Sequence, residues 1–321
     1  MKRRSFLSLC AASIWIPRPG LAQSDLRLVG ILAPRAAPSP NDEALRAELR
    51  RLGYVEGSNI RIDFRGAAGD PRRLDAIAVA LVNLSPAVIV ALGSEATRAA
   101  MKATDRIPIV MGSANPVGMG AVTSLARPGG NVTGVSFMAP EASGKRLELL
   151  RELVPGLARL AVFLNPDDPS AAFALDSTKQ AAGSLAIKLQ TINVRRSDDF
   201  APGFAAAVRA GAQAAVLLPA PVATDNAALA ARLSLENRIP AIASPVAFAR
   251  AGGLLSFGTN LPDSYRRIAA YVDKILKGAK PADLPVEQPA KFELVINMST
   301  ANALRIKVPQ SLLLRADDVI Q

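Results

Sequence analysis

From Asp25 onward the chain alternates short β-branched apolar runs with longer stretches whose apolar positions recur every three or four residues. The short runs suit strands buried on both faces and the longer stretches suit helices that cover them, so the alternation predicts βαβ units around a parallel sheet. RLVGILAP (27–34) reads as the first buried strand. EALRAELRRLGY (43–54) follows as an amphipathic helix with Leu45, Leu49 and Leu52 on one face and Gly53 as its stop. The series continues with strands over 59–66, 87–94, 107–113 and 131–137, and with helices over 71–84, 95–104 and, shorter, near 119–126. These strands fill a first lobe.

A helix over 143–155 leads to a second series, which opens with RLAVFLNP (159–166), an echo of RLVGILAP. Strands over 187–194, 214–221 and 240–245 alternate with helices over 169–186, 199–210 and 224–237. Two similar lobes in tandem explain the echo better than one large sheet. The tail departs from tandem order: a strand at 253–260, a long amphipathic helix at 261–278, a proline-rich connector at 280–289, a strand at 292–299 and a final helix. Elements left over after two complete series imply that the chain crosses back and that a distant segment finishes each lobe. The expected fold class is α/β, two doubly wound parallel-sheet lobes joined by a multi-crossing hinge. Lobe 1 would span 26–138 plus about 258–286, and lobe 2 about 139–257 plus about 287–321.

The first residues change where such a protein is expected to work. Lys2, Arg3 and Arg4 precede an apolar stretch from Phe6 to Ile16, and Gly20-Leu21-Ala22 supplies a small-residue site; this reads as an export signal over 1–22, cleaved near Ala22. The basic pair suits either the twin-arginine or the general secretory route. Cleavage would remove Cys10 and Trp15, the chain's single cysteine and tryptophan, and four of the positive charges that make up its formal +11. The remaining basic residues are scattered along helix faces, as at Arg46, Arg50 and Arg51, without interleaved aromatics, a pattern that favours a solvated surface over a nucleic-acid face. No later apolar run approaches the ~20 residues needed to span a bilayer. A periplasmic location is expected, with the protein a monomer.

Enzyme readings lack their usual parts. The chain has no histidine, which removes a Ser-His-Asp triad and a His-based metal site. Without Cys10 there is no thiol nucleophile, and neither a GxSxG elbow nor a GxxxxGK[ST] phosphate loop occurs. We expect no catalytic residue, no metal and no cofactor.

Four runs carry a family resemblance: LRRLGYVEGSNIRIDFR (49–65), IPIVMGSANPVGMGAVTSLARPGGNVTGVS (107–136), GKRLELLRELVPGLARLAVFLNP (144–166) and YRRIAAYVDKILKGAKPADLPVEQPAKFELVINMSTANAL (265–304). With them the chain resembles the ABC-transporter substrate-binding family that includes the tryptophan- and tyrosine-binding proteins. The resemblance covers essentially the whole chain after the export signal. It implies a type I periplasmic-binding fold with three interlobe crossings, and delivery of a small-molecule ligand, an aromatic amino acid among the candidates, to an ABC permease in the inner membrane powered by a separate ATPase. Two other functions remain open at this stage: a ligand sensor that presents its closed form to a membrane receptor, and an exported hydrolase.

In open parallel sheets ligands bind beyond the carboxyl ends of the strands, so the strand ends nominate the site. Gly93-Ser94-Glu95 ends one strand and opens a helix, where backbone N–H groups and the Ser94 hydroxyl would hold a carboxylate; Ser94 equally suits the helix cap. Ser113 and Asn115 follow the next strand, Asn115 suiting either a polar ligand contact or a turn before Pro116, and Ser136 leads into the first crossing, where it equally suits a plain strand hydroxyl. The second lobe offers Asn165, Pro219, Asp225 and Ser244, with Phe248 suited either to the core or to stacking on a planar ligand. Measured against the family, Ser94-Glu95 stands where Thr-Pro is frequent, Asn115-Pro116 where Asp-Pro is common, and Ala220 where an acidic residue is frequent. A carboxylate at Glu95 would pair with a ligand ammonium or repel an acidic ligand.

Overall fold

The computed structural model describes residues 26–137, 141–289 and 291–321, so the export signal expected over 1–22 lies outside the described residues. The first sheet holds β1 (Arg27–Ala33), β2 (Ile60–Gly66), β3 (Val88–Leu92), β4 (Ile109–Ser113) and β5 (Val132–Ser136), all parallel, in the order β2-β1-β3-β4-β5. Helices α1 (Pro40–Arg51), α2 (Leu74–Val82) and α3 (Ser94–Ala103) connect these strands. β3 and β4 are buried along their whole length, as continuous apolar runs between two helical layers should be.

After α4 (Glu141–Leu153) the same construction repeats. β6 (Arg159–Leu164), β7 (Lys188–Asn193), β8 (Ala214–Leu217), β9 (Ala241–Ala243) and β10 (Leu255–Thr259) are parallel in the order β7-β6-β8-β9-β10, the first sheet's order over again. The echo between RLVGILAP and RLAVFLNP is thus β1 against β6, the second-position strand of each sheet. Between them run α5 (Ala171–Ser184), α6 (Phe200–Arg209), α7 (Pro221–Asp225), α8 (Ala227–Glu236) and α9 (Val246–Arg250). The stretch expected as one helix at 224–237 is two, parted at Asn226, whose side chain donates back to the Val222 carbonyl at 2.9 Å.

The tail crosses between layers. α10 (Leu261–Leu276) leaves the second sheet and packs on α1 and across β3, β4 and β5. Its stripe of Tyr265, Ile268, Val272 and Ile275 is buried in the first sheet's core, and Tyr54 donates to Asp273 at 2.9 Å beneath it. In exchange α4, which follows β5, packs on α5 and against β9 and β10. The chain then returns to the second sheet as β11 (Phe292–Asn297), antiparallel to β10. The final helix of the sequence reading is instead two short helices, α11 (Met298–Ala303) and α12 (Gln310–Leu313), and an edge strand, β12 (Asp318–Ile320), parallel to β11. Pro309 separates the helices.

One expected helix is absent. Residues 114–131 form turns and bends, because Asn115 takes a left-handed φ of 45° and Gly120 one of 73°, and neither continues a right-handed helix. Among the described residues no helix is long and apolar enough to cross a membrane.

Candidate functional site

The carboxyl ends of both sheets face a common cleft, and three segments bridge it. Thr259 Oγ1, at the end of β10, donates to the Phe137 carbonyl at 2.8 Å, and the Asn260 amide donates to the Lys291 carbonyl at 3.1 Å. Glu287 pairs as an isolated parallel bridge with Val135 on the edge strand of the first sheet, and the Ser136 amide donates to its carbonyl at 2.8 Å. The ring of Phe137 stacks on Tyr265 of α10 at 6.0 Å between centroids. The crossings therefore lie side by side, each bonded to the next.

A cavity of ≈ 130 Å³ opens beside them, with Gly93, Ser94, Ala114 and Phe137 on one wall and Asp168, Ser170, Pro219 to Pro221, Thr224, Ser244 and Pro245 on the other. A second compartment of ≈ 240 Å³ also borders Pro221 and is lined by Glu95, Asn165, Arg195, Arg196 and Asp225 among others.

The first-sheet wall is built by the sharp turn from β3 into α3. Gly93 has a φ of 99°, a conformation that side chains rarely adopt, and its amide donates to the Gly112 carbonyl at 2.7 Å. This turn aims the first N–H groups of α3 toward the cleft, where a helix leaves its donors without intrahelical partners. The Ser94 hydroxyl accepts from Ser113 at 3.1 Å and from the Ala114 amide at 3.3 Å, so it ties the ends of β3 and β4 together. Ser94 lines the cavity as the first residue of α3, but it does not cap the helix as expected: Gly93 holds the N-cap position, with no side-chain cap hydrogen bond.

Glu95 is buried to 4 % exposure, and no hydrogen bond or ion pair among the described residues reaches its carboxylate. Burial, and then the facing Asp168 carboxylate, push its pKa up to about 7 against an ordinary 4.5, with Arg98 pulling the other way. Asp168 comes from the opposite wall, in the turn after β6, and is 7 % exposed. Burial raises its pKa as well, although the Ser170 amide and hydroxyl donate to it at 2.8 and 2.6 Å. Partial desolvation likewise raises Asp225, exposed at the end of α7, with Arg35 opposing. Each of these groups costs energy to ionise where it stands.

On the second-sheet wall the buried Arg146 of α4 donates to the Phe257 carbonyl at 2.8 Å and to Ser244 at 3.3 Å. Among the described residues it has no carboxylate partner, and burial draws its pKa down to about 10, which still leaves it charged at neutral pH. A side chain at Gly258 would collide with the Ser244 carbonyl, so the close approach of β10 to the end of β9 depends on glycine there.

Of the residues nominated from sequence, Ser94, Pro219 and Ser244 line the first compartment, and Glu95, Asn165 and Asp225 the second. Ser113 lies fully buried behind Ser94, and Ser136 is buried where the first crossing begins. Asn115 accepts from the Gly118 amide at 3.1 Å and anchors the turn that replaced the expected helix. Phe248 is 1 % exposed in the core of the second sheet, beneath Gly253, and lines neither compartment. Sequence reasoning missed Asp168, Ser170, Phe137, Thr259 and Arg146. The Asp-x-Ser turn of Asp168 to Ser170 was the legible clue, since that spacing puts a carboxylate over the following amide.

Residues 41–320 match the sequence profile of a family described as ABC transporter substrate binding protein. The chain belongs to that family. It is 29 % identical over 272 residues, 82 % of this chain and 76 % of the relative, to the tyrosine-binding protein of Clostridioides difficile strain R20291. Among solved structures it superposes with a TM-score of 0.86, at 25 % identity, on an ABC domain from Streptococcus pneumoniae in complex with L-Trp, covering 92 % of this chain and 100 % of the other. It superposes equally, TM-score 0.86 at 27 % identity, on a conserved domain protein of Vibrio cholerae O1 biovar El Tor, covering 91 % and 99 %. The fold of this substrate-binding protein is the type I periplasmic-binding fold. The resemblance carried by SLARPGGNVTG (124–134) thus holds, and its glycine-rich run is the turn region that enters β5.

Proposed function

We propose that the chain is the extracytoplasmic solute-binding component of an ABC importer, which captures an amino-acid-sized organic molecule between its lobes and presents the closed form to an inner-membrane permease served by a separate ATPase. In this reading lobe 1 is 26–138 plus about 258–286 and lobe 2 the remainder after the export signal. The observation that carries it is the cavity lined from the ends of both sheets and flanked by the crossings. Binding there would favour closure, because a ligand that touches both walls stabilises the closed arrangement by its extra contacts.

The two compartments fit a molecule with two unlike ends. A cavity of roughly 150 Å³ accepts one benzene ring; the first compartment is of that scale and has Phe137, Pro219, Pro245 and Leu261 in its lining. The second is polar, with Glu95, Asn165 and Asp225. The tyrosine- and tryptophan-bearing relatives support an aromatic amino acid or a close analogue. Calorimetry and thermal shift with L-tyrosine, L-tryptophan and the other amino acids, with small-angle scattering to follow closure, test the reading. Saturable binding with a smaller radius of gyration is expected; no binding by any at millimolar concentration would overturn it.

A further inference from the structure

The strands that end the two sheets are not equally protected. β5 closes one end of the first sheet under the bridge from Glu287; in the second, β12 is three residues long and β7 opens with Lys188. β2 ends the first sheet with seven residues and neither proline nor lysine, the residues that ordinarily guard an edge. Its outer side is occupied only at the start, where the Ile60 carbonyl accepts from the Gly57 amide at 2.9 Å and the Ile60 amide donates to the Val55 carbonyl at 3.4 Å. The Ala67 amide donates to the Ala33 carbonyl at 3.0 Å, and β2 runs in unbroken parallel register with β1. The main-chain groups of Asp63 and Arg65 therefore point to β1, and those of Ile62, Phe64 and Gly66 point away. Among the described residues nothing bonds to the amides and carbonyls of these three.

Beside this edge lies a groove of ≈ 630 Å³ between β2 and α2, with Arg65, Gly66, Ala76, Ile77 and Ala80 in its lining. The outward face of α2 is apolar where a solvated helix would be charged: Ala76, Val79 and Ala80 are exposed, and Leu84 lies beyond its end. An open strand edge flanked by an apolar helix face suits a partner that adds a strand.

The order of residues on β2 matches that edge to itself. Antiparallel pairing with an identical strand about a two-fold at Phe64 sets Phe64 against Phe64 of the copy, Ile62 against Gly66, and Asp63 against Arg65. The first two kinds of pair exchange every open amide and carbonyl. The third is the close, non-hydrogen-bonded kind, about 4.5 Å between Cα atoms, where opposite charges attract. Asp63 and Arg65 already share an ion pair at 2.8 Å within the strand, so the four groups alternate in sign across the junction. A centre at Asp63 would oppose Asp63 to Asp63 and Arg61 to Arg65, and a centre at Ile62 would need the groups of Ile60 that the turn already holds.

We propose that the protein self-associates through β2 into a two-fold dimer, in place of the monomer expected from its sequence, with the two first sheets joined edge to edge and α2 of each copy beside the junction. The pairing does not depend on what the cleft binds, but it bears on delivery. Antiparallel pairing points the carboxyl ends of the two first sheets in opposite directions, so the clefts open on opposite sides, and a dimer lying against one membrane presents one cleft at a time.

Sedimentation velocity over a micromolar concentration series, on protein without residues 1–22, should show a monomer–dimer equilibrium. Asp63→Arg and Arg65→Asp each oppose like charges and should weaken the dimer about tenfold or more. The double variant D63R/R65D restores opposite charges and should recover it, which separates a broken interface from a broken fold. The register is read by cysteine pairing, because the sequence holds no cysteine besides Cys10. An equimolar mixture of Asp63→Cys and Arg65→Cys should oxidise to a disulfide-linked dimer, and each variant alone, with its thiols out of register, should not. A monomer at every concentration, a dimer indifferent to both charge reversals, a double variant that stays monomeric, or equal cross-linking of either cysteine variant alone overturns the β2 interface.

Discussion

At the end of β3 the first sheet meets the cleft with helix N–H groups and with hydroxyls that bond to each other, Ser113 to Ser94 at 3.1 Å. At the matching end of β8 the second sheet meets it with Pro219, Ala220 and Pro221, which offer no N–H at two of three positions and little side-chain chemistry. The strand order is the same in both sheets, yet one wall is a polar clamp and the other a stiff apolar shelf. What the shelf lacks in donors is returned from neighbouring turns, by Asp168 and Ser170 after β6 and by Ser244 after β9. A repeated topology fixes where a cleft lies and leaves each wall free to diverge in what it binds.

The comparison can be broken hardest on the second wall. Gly258→Ala puts a Cβ against the Ser244 carbonyl, and backbone has no rotamer to escape into; a loss on the order of 3 kcal/mol is expected, read as a lower denaturation midpoint. On the first wall the largest effect is electrostatic. Glu95 has a folded pKa of about 7 above its ordinary 4.5, so its contribution to stability is full below about 4.5 and is lost as pH rises through about 7. Ligand-free protein should therefore melt higher at pH 5 than at pH 8, and Glu95→Gln should remove a share on the order of 2 kcal/mol of that difference. An identical pH profile in the variant would contradict the assignment.

Ser94→Ala sharpens the contrast further. It strips the bond from Ser113 and the one from the Ala114 amide, both buried, and should cost about 1 kcal/mol in chemical denaturation while loosening the wall. The smallest expected effect is Thr259→Val, which removes only the link from β10 to the Phe137 carbonyl. It should cost about 0.5–1 kcal/mol and show itself more in closure, by scattering with and without L-tyrosine, than in stability.

Much of this was legible because it is local. Parallel strands such as 27–33 and 88–92 announce themselves as apolar runs, and the stripe on α10 at Tyr265, Ile268 and Val272 marked a helix with no place in a second lobe already complete. Ser94 and Ser244 followed from the rule that strand ends line the cleft. Phe248 did not, because spacing cannot show which way an aromatic turns one helical step beyond a strand, and the nearby Gly253 lets it fold inward. The apolar spacing near 119–126 read as helical, but Gly118 and Gly120 serve a turn held by Asn115. Asp168 was invisible for a different reason: its meaning depends on Glu95, 73 residues away in sequence and on the opposite lobe.

The return of α10 bears on how the protein is made. A ribosome releases β1 to β5 long before residues 261–276 appear, so the nascent first sheet waits with the apolar face of β3 to β5 uncovered until Ile268 and Val272 arrive. Contacts of such long sequence separation form late and slowly. Until the chain has grown through that helix, the half-built lobe offers bare hydrophobic surface, and a holding partner or delayed collapse has to protect it from neighbouring chains.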